Sequence, residues 1–201
     1  MVLNHPPRAG KSHRYPCALI FMYNASADHF FYETGISELQ DYLLSENLYW
    51  RLSHPKAGKL PMLTVGSLLL ARRRLQNVSY TNLDTLDFNL HTLRSKWRSA
   101  WERKVKHELR ARTELWHNFL ADYRHAPEQH ADAYPQEVRW RVIIHLLMQE
   151  MEDLPPETEA LTELDRILRL SFIPGQFVWD LELASSFERD PFWYLYGKLK
   201  Q

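Results

Sequence analysis

Residues 82–125 read NLDTLDFNLHTLRSKWRSAWERKVKHELRARTELWHNFLADYRH. Along them apolar side chains return every three or four positions, at Leu86, Leu90, Leu93, Trp97, Trp101, Val105, Leu109, Trp116, Phe119 and Tyr123, with one step skipped at Arg112. That period predicts one amphipathic helix from Asn82 to His125. Asp84 and Asp87 lie in its first turns and Arg124 and His125 in its last, as the helix dipole favours. Glu102 to Lys106 and Glu108 to Arg112 are acid-to-base pairs four apart. If unbroken, the helix spans about 65 Å at 1.5 Å per residue, against a radius of gyration of about 16 Å for a compact chain of this size. It must therefore protrude, kink or find a partner. Ser95 and Ser99 are the mildest points for a break.

The surrounding sequence supports helices. No glycine occurs between Ser67 and Pro174, and prolines punctuate that stretch only at Pro127, Pro135, Pro155 and Pro156. A helix from an N-cap at Ser37 to about Leu52 is expected, then one from Pro61 to about Gln76. After residues 82–125, Tyr134-Pro135 opens a helix to about Asp153 whose centre, Val142 to Met148, is apolar on every side, as in a core helix. Another follows from about Pro156 to Ser171, with Leu161, Leu164, Ile167 and Leu168 inward. The expected fold is thus all-α or nearly so: a bundle of five to seven helices around one long amphipathic helix. It forms a single domain over 1–201, with an irregular segment 1–36 holding at most one short strand in Ala18 to Tyr23, a helical core 37–171 and an aromatic C-terminal arm 172–201.

Composition excludes several classes. The 201 residues carry 25 Lys plus Arg and 25 Asp plus Glu, so no global field draws the chain to nucleic acid or membrane. The longest nearly apolar run, Leu60 to Ala71, falls short of the roughly 20 residues that cross a bilayer, so no membrane partner is expected. Cys17 is the single cysteine, which forbids an intramolecular disulfide and suits a reducing, cytoplasmic location. Met1 to Lys11 lacks the apolar core of a signal peptide.

Chemical motifs are sparse. Gly10-Lys11-Ser12 has the end of a phosphate-binding loop, but His5 stands where its first glycine should be. Cys17 has no evident base beside it, and no Gly-x-Ser-x-Gly elbow occurs; no catalytic residue and no cofactor are assigned. For a metal, the candidates are His91, His145, His107, Glu114 and His117. A di-metal helical site needs Glu-x-x-His twice, and only Glu114 to His117 supplies it. The helical wheel sets Glu114, His117 and His107 on the wet face, which favours plain solvated residues. His145, inside the apolar run, reads first as a core histidine with one hydrogen bond, and His91 as its possible neighbour.

Charge is uneven along the chain. Between Arg94 and Arg112 stand eight bases, Arg94, Lys96, Arg98, Arg103, Lys104, Lys106, Arg110 and Arg112, against two acids, and Arg72, Arg73 and Arg74 add to them. Residues 149–190 hold eleven acids and three bases. The eleven cations are candidates for nucleic acid or an acidic partner; the plainer expectation is that the acidic third packs on the basic helix, within one chain or across a dimer. Seven aromatics of the arm, Phe177, Trp179, Phe187, Phe192, Trp193, Tyr194 and Tyr196, read first as rings docked on the bundle and second as a partner-binding surface. The functional expectation is a non-enzymatic interaction or scaffolding protein, self-associating through residues 82–125 as a homo-oligomer, with nucleic-acid binding and a histidine-based enzyme or metal protein as alternatives.

Overall fold

A computed structural model describes residues 23–54, 60–153 and 155–201. The possible strand from Ala18, Cys17 and Gly10-Lys11-Ser12 lie outside the described residues, apart from Tyr23. The described residues form eight α-helices: α1 (Ala25–Ser37), α2 (Leu39–Leu44), α3 (Val65–Arg74), α4 (Leu83–Lys96), α5 (Arg98–His125), α6 (Pro127–His130), α7 (Tyr134–Gln149) and α8 (Glu157–Ser171). Two strands, β1 (Phe172–Phe177) and β2 (Tyr196–Leu199), pair antiparallel at the C-terminus. The mostly helical expectation holds. No helix among the described residues is long and apolar enough to cross a membrane.

The expected single helix over 82–125 is two. It breaks at Trp97, whose φ of −114° and ψ of 36° leave the helical region. Apolar steps of four, Leu93, Trp97, Trp101, Val105 and Leu109, each advance the apolar stripe by about 40° around a helix of 3.6 residues per turn. A straight rod would turn that stripe away from the bundle, so the chain bends. Its ladder stays almost whole: Trp97 N donates to Leu93 O and Trp101 N to Trp97 O, both at 2.9 Å. α4 then faces α1, while α5 packs on α7, α3, α8 and α2.

The N-terminal expectations also need correction, because residues 25–36 are helical. Asn24 caps α1, its side chain accepting from Ala27 N at 3.0 Å. Ser37 ends that helix instead of starting the next, its hydroxyl donating back to Thr34 O at 2.8 Å. Gly35, which reads as a breaker, sits inside α1 where the helix presses on α3; a Cβ there would stand 2.8 Å from Leu68 Cδ1. Leu63 is drawn into an extended bridge with Trp50, so α3 begins at Val65 and not at Pro61.

Thr64 caps α3 in a reciprocal box with Ser67. The end so formed is docked on α5 by Glu108, whose side chain is fully buried. Glu108 Oε1 accepts from the Thr64 hydroxyl at 2.6 Å and Oε2 from Gly66 N at 2.8 Å. Arg112 donates to Oε1 through Nε at 3.0 Å, and its guanidinium lies between the rings of Trp140, 4.6 Å away, and Tyr49, 5.4 Å away. The anion thus has a helix N-terminus on one side and a cation on the other, which offsets the cost of burying it. Gly66 is required by contact: a Cβ would press into Ile143 Cγ2 and stand 2.9 Å from Glu108 Oε1.

α7 runs through the core with Val138, Val142, Ile143, Ile144, Leu146 and Leu147 buried. α8 covers it with Leu161, Leu164 and Leu168. Arg141 joins the two, donating to both oxygens of Asp165 at 2.8 and 2.7 Å.

Because Glu108 joins Arg112 to the α3 end, with only a long Arg112 to Thr64 Oγ1 bond of 3.4 Å beside it, Glu108→Ala is expected to lower unfolding free energy by about 3–5 kcal/mol, the range for breaking a buried ion pair from one side. In urea denaturation, the double variant Glu108→Met/Arg112→Met is expected to lose less than the single one; an equal or greater loss would contradict this account of the pair.

Candidate functional site

The eleven candidate cations do not form one open face. Arg72 is taken by Asp87, donating from Nε and Nη2 at 2.5 Å each. Arg73 donates to Ser186 O at 2.6 Å and lies over Phe187 and Phe192. Arg74 stands 3.8 Å from Asp28 and over Trp179. Lys96 lies over Trp97. Lys104 is buried, its ammonium donating to the carbonyls of Ser45 at 3.0 Å and of Asn47, above the Tyr42 ring; burial first, then Arg103, pushes its pKa down. Arg112 belongs to the Glu108 pair.

The acidic third supplies partners for three more, within one chain. Arg94 meets Glu150 at 3.0 Å, Arg98 meets Glu152 at 2.6 Å, and Arg110 meets Glu157 at 2.8 Å. Glu102 pairs with Arg98 at 2.7 Å and not with Lys106, the partner its spacing suggests. Arg103 and Lys106 are exposed, and among the described residues neither makes an ion pair. With Ser99, Glu102, His107 and Arg110 they line a shallow groove of about 410 Å³ along the outer face of α5.

The arm is part of the core. Phe177, Phe187, Phe192 and Tyr194 are buried, and Trp179, Trp193 and Tyr196 are half-buried. Tyr134 donates its hydroxyl to Tyr194 O at 2.6 Å, Trp179 Nε1 to Pro135 O at 2.7 Å, and Tyr196 its hydroxyl to Phe187 O at 2.7 Å. The arm's rings pack edge-to-face, as at Phe187 with Phe192, 5.2 Å apart. Arg73 and Arg74 of α3, Arg141 and His145 of α7 and Arg169 of α8 meet rings of this set, so the arm is held to three helices and its seven aromatics do not form an exposed row.

The histidines are dispersed. His91, His107 and His117 are exposed, as is Glu114. His145 is half-buried on α7, against the Phe192 ring at 4.7 Å and 3.3 Å from Gln149 Nε2. Among the described residues no bond or ring contact joins it to His91, and no group of three or more His, Cys, Asp or Glu is gathered to hold a metal ion.

A surface that the charge pattern does not reveal lies on α4. Only Leu83 and Leu86 of its apolar row are buried. Leu90, Leu93 and Trp97, on the same side, are half-covered, and Phe88 on the opposite side is 70% exposed. Compared with known proteins, the chain matches no family model, no curated protein and no solved structure.

Burial, then the cations of Arg141 and Arg73, pushes the His145 pKa down from 6.5 to about 4. The unfolded chain therefore takes up this proton first, and the contribution of His145 to stability, complete above pH 6.5, is lost as pH falls toward 4. Asp28 acts in the opposite sense, since burial raises it to about 6 against the pull of Arg74. The two are separated by substitution: between pH 7 and 4 the urea midpoint of the native chain is expected to fall relative to that of His145→Gln. Parallel curves would refute the assignment.

Proposed function

We propose that this protein is a non-enzymatic interaction protein that self-associates through α4. The observation that carries the reading is the incomplete covering of the α4 row: Leu83 and Leu86 are buried, whereas Leu90, Leu93 and Trp97, on the same side of the helix, pack against the core but stay only partly covered. Contiguous apolar surface left partly uncovered at this spacing suits a helix-to-helix contact. A second copy is the simplest occupant, because a twofold contact needs only one patch that complements itself. The formal net charge of +0 leaves no long-range repulsion between copies. On this reading self-association falls to the N-terminal half of residues 82–125, and α5, whose apolar face is buried against its neighbours, serves as scaffold.

Light scattering over a concentration series tests the reading. The mass is expected to rise from the 24.0 kDa of one chain to twice that value at high micromolar concentration. Leu93→Asp is expected to hold the protein at one chain while circular dichroism stays native, and Phe88→Asp, on the far side of α4, is expected to leave association unchanged. A native chain that remains monomeric throughout rules the proposal out.

A further inference from the structure

We propose that the outer face of α5 between Ser99 and Arg110 is a binding site for a phosphate-bearing ligand, held by Arg103, Lys106 and Arg110. Nine of the eleven cations of residues 72–112 are engaged by carboxylates, backbone carbonyls or rings of the same chain, and Arg103 and Lys106 are the two that remain. They are not scattered: three and four residues apart, Arg103, Lys106 and Arg110 project from successive turns, about 4.5 and 6 Å of rise apart. The groove they line holds three bases and one acid, Glu102, with Arg110 also paired to Glu157 beside it.

Three features make this groove more than a solvated strip. Glu102 is held by Arg98, so Lys106 makes no direct ion pair with it and feels its charge only at longer range. Lys106 and Arg110 stand four apart as like charges, an arrangement that weakens a helix and that a bound anion relieves. Arg110 is held only by a surface pair with Glu157, its own side chain 71% exposed, and such pairs exchange readily. The adjoining cleft of about 130 Å³ is lined by Lys106 itself and Arg98 together with Glu102, Glu150, Glu152 and Asp153; these acids repel an anion and bound the site on that side. A tetrahedral phosphate offers oxygens in several directions, matching two guanidinium forks and an ammonium better than one planar carboxylate does.

Isothermal titration at low salt, where exposed charges are least screened, provides the test, with inorganic tripolyphosphate and a short oligothymidylate as separate probes. Saturable binding is expected, weakening as salt rises. The double variant Arg103→Gln/Lys106→Gln is expected to lose about tenfold or more in affinity, whereas Arg124→Gln, an exposed base in the last turn of α5, keeps it. Binding of tripolyphosphate as tight as that of the oligonucleotide assigns a small phosphorylated compound, and much tighter oligonucleotide binding assigns a nucleic-acid backbone; both support the site. Saturable binding of neither probe, or equal losses in the two variants, overturns it. Light scattering on the same double variant keeps this outcome distinct from self-association, which the α5 substitutions leave intact.

Discussion

One buried carboxylate fixes how the two halves of the chain meet. Glu108 belongs to α5, yet the groups it binds at Thr64 and Gly66 belong to the first turn of α3, more than forty residues earlier. A carboxylate in a dry interior is expensive unless every oxygen is satisfied, and here a hydroxyl, a backbone amide and a guanidinium satisfy it. The geometry tolerates little slippage. Oε2 must reach Gly66 N, so α3 must approach α5 closely, so position 66 must lack a side chain and Ile143 of α7 must fill the space beside it. Three helices are thereby registered on one charge.

The same logic, applied farther out, explains the uneven charge of the sequence. A basic middle and an acidic C-terminal third could have served an external polyanion. Much of that charge instead meets itself: Glu150, Glu152 and Glu157 lie along the α7 to α8 connection and return to Arg94, Arg98 and Arg110. Each of these pairs is at least partly exposed and individually weak; their effect is to favour one side of α5 for the connection. The buried bidentate pair of Arg141 with Asp165 sets α8 on α7 more firmly, and the ring of Tyr194 closes over that guanidinium at 4.5 Å.

Much of this was legible in the residues. The period of three and four identified α5, α7 and α8 and their inward faces, and the wheel correctly set Glu114, His117 and His107 in water. The Glu108 site was half legible. The apolar series of residues 82–125 skips a step at Arg112, and a cation at an apolar position, four residues after an acid on the same side, is the pattern of a buried pair. Nothing in the sequence names Thr64 and Gly66 as its partners, because a contact across forty residues leaves no local period. α1 was hidden for another reason: Gly35 and Ser37 resemble punctuation, and only close packing against Leu68 makes a glycine useful inside a helix.

The bend at Trp97 shows how a pattern can contain its own correction. A run of four-residue steps keeps residues on one side only approximately, and five successive apolar positions from Leu93 to Leu109 accumulate a drift of about 160° at 3.6 residues per turn. A partner helix wound around such a rod could follow the drift, as in a coiled coil; a compact body cannot. The chain resolves the conflict by breaking where the stripe passes between two neighbours, α1 on one side and α7 on the other. α5 is then covered along its apolar stripe, whereas the α4 row, spaced evenly by three and four, starts in the core at Leu83 and is only partly covered at Leu93 and Trp97. The partly covered end of the α4 row thus lies at the bend itself, where the chain leaves the line of α4 to lay the α5 stripe against α7.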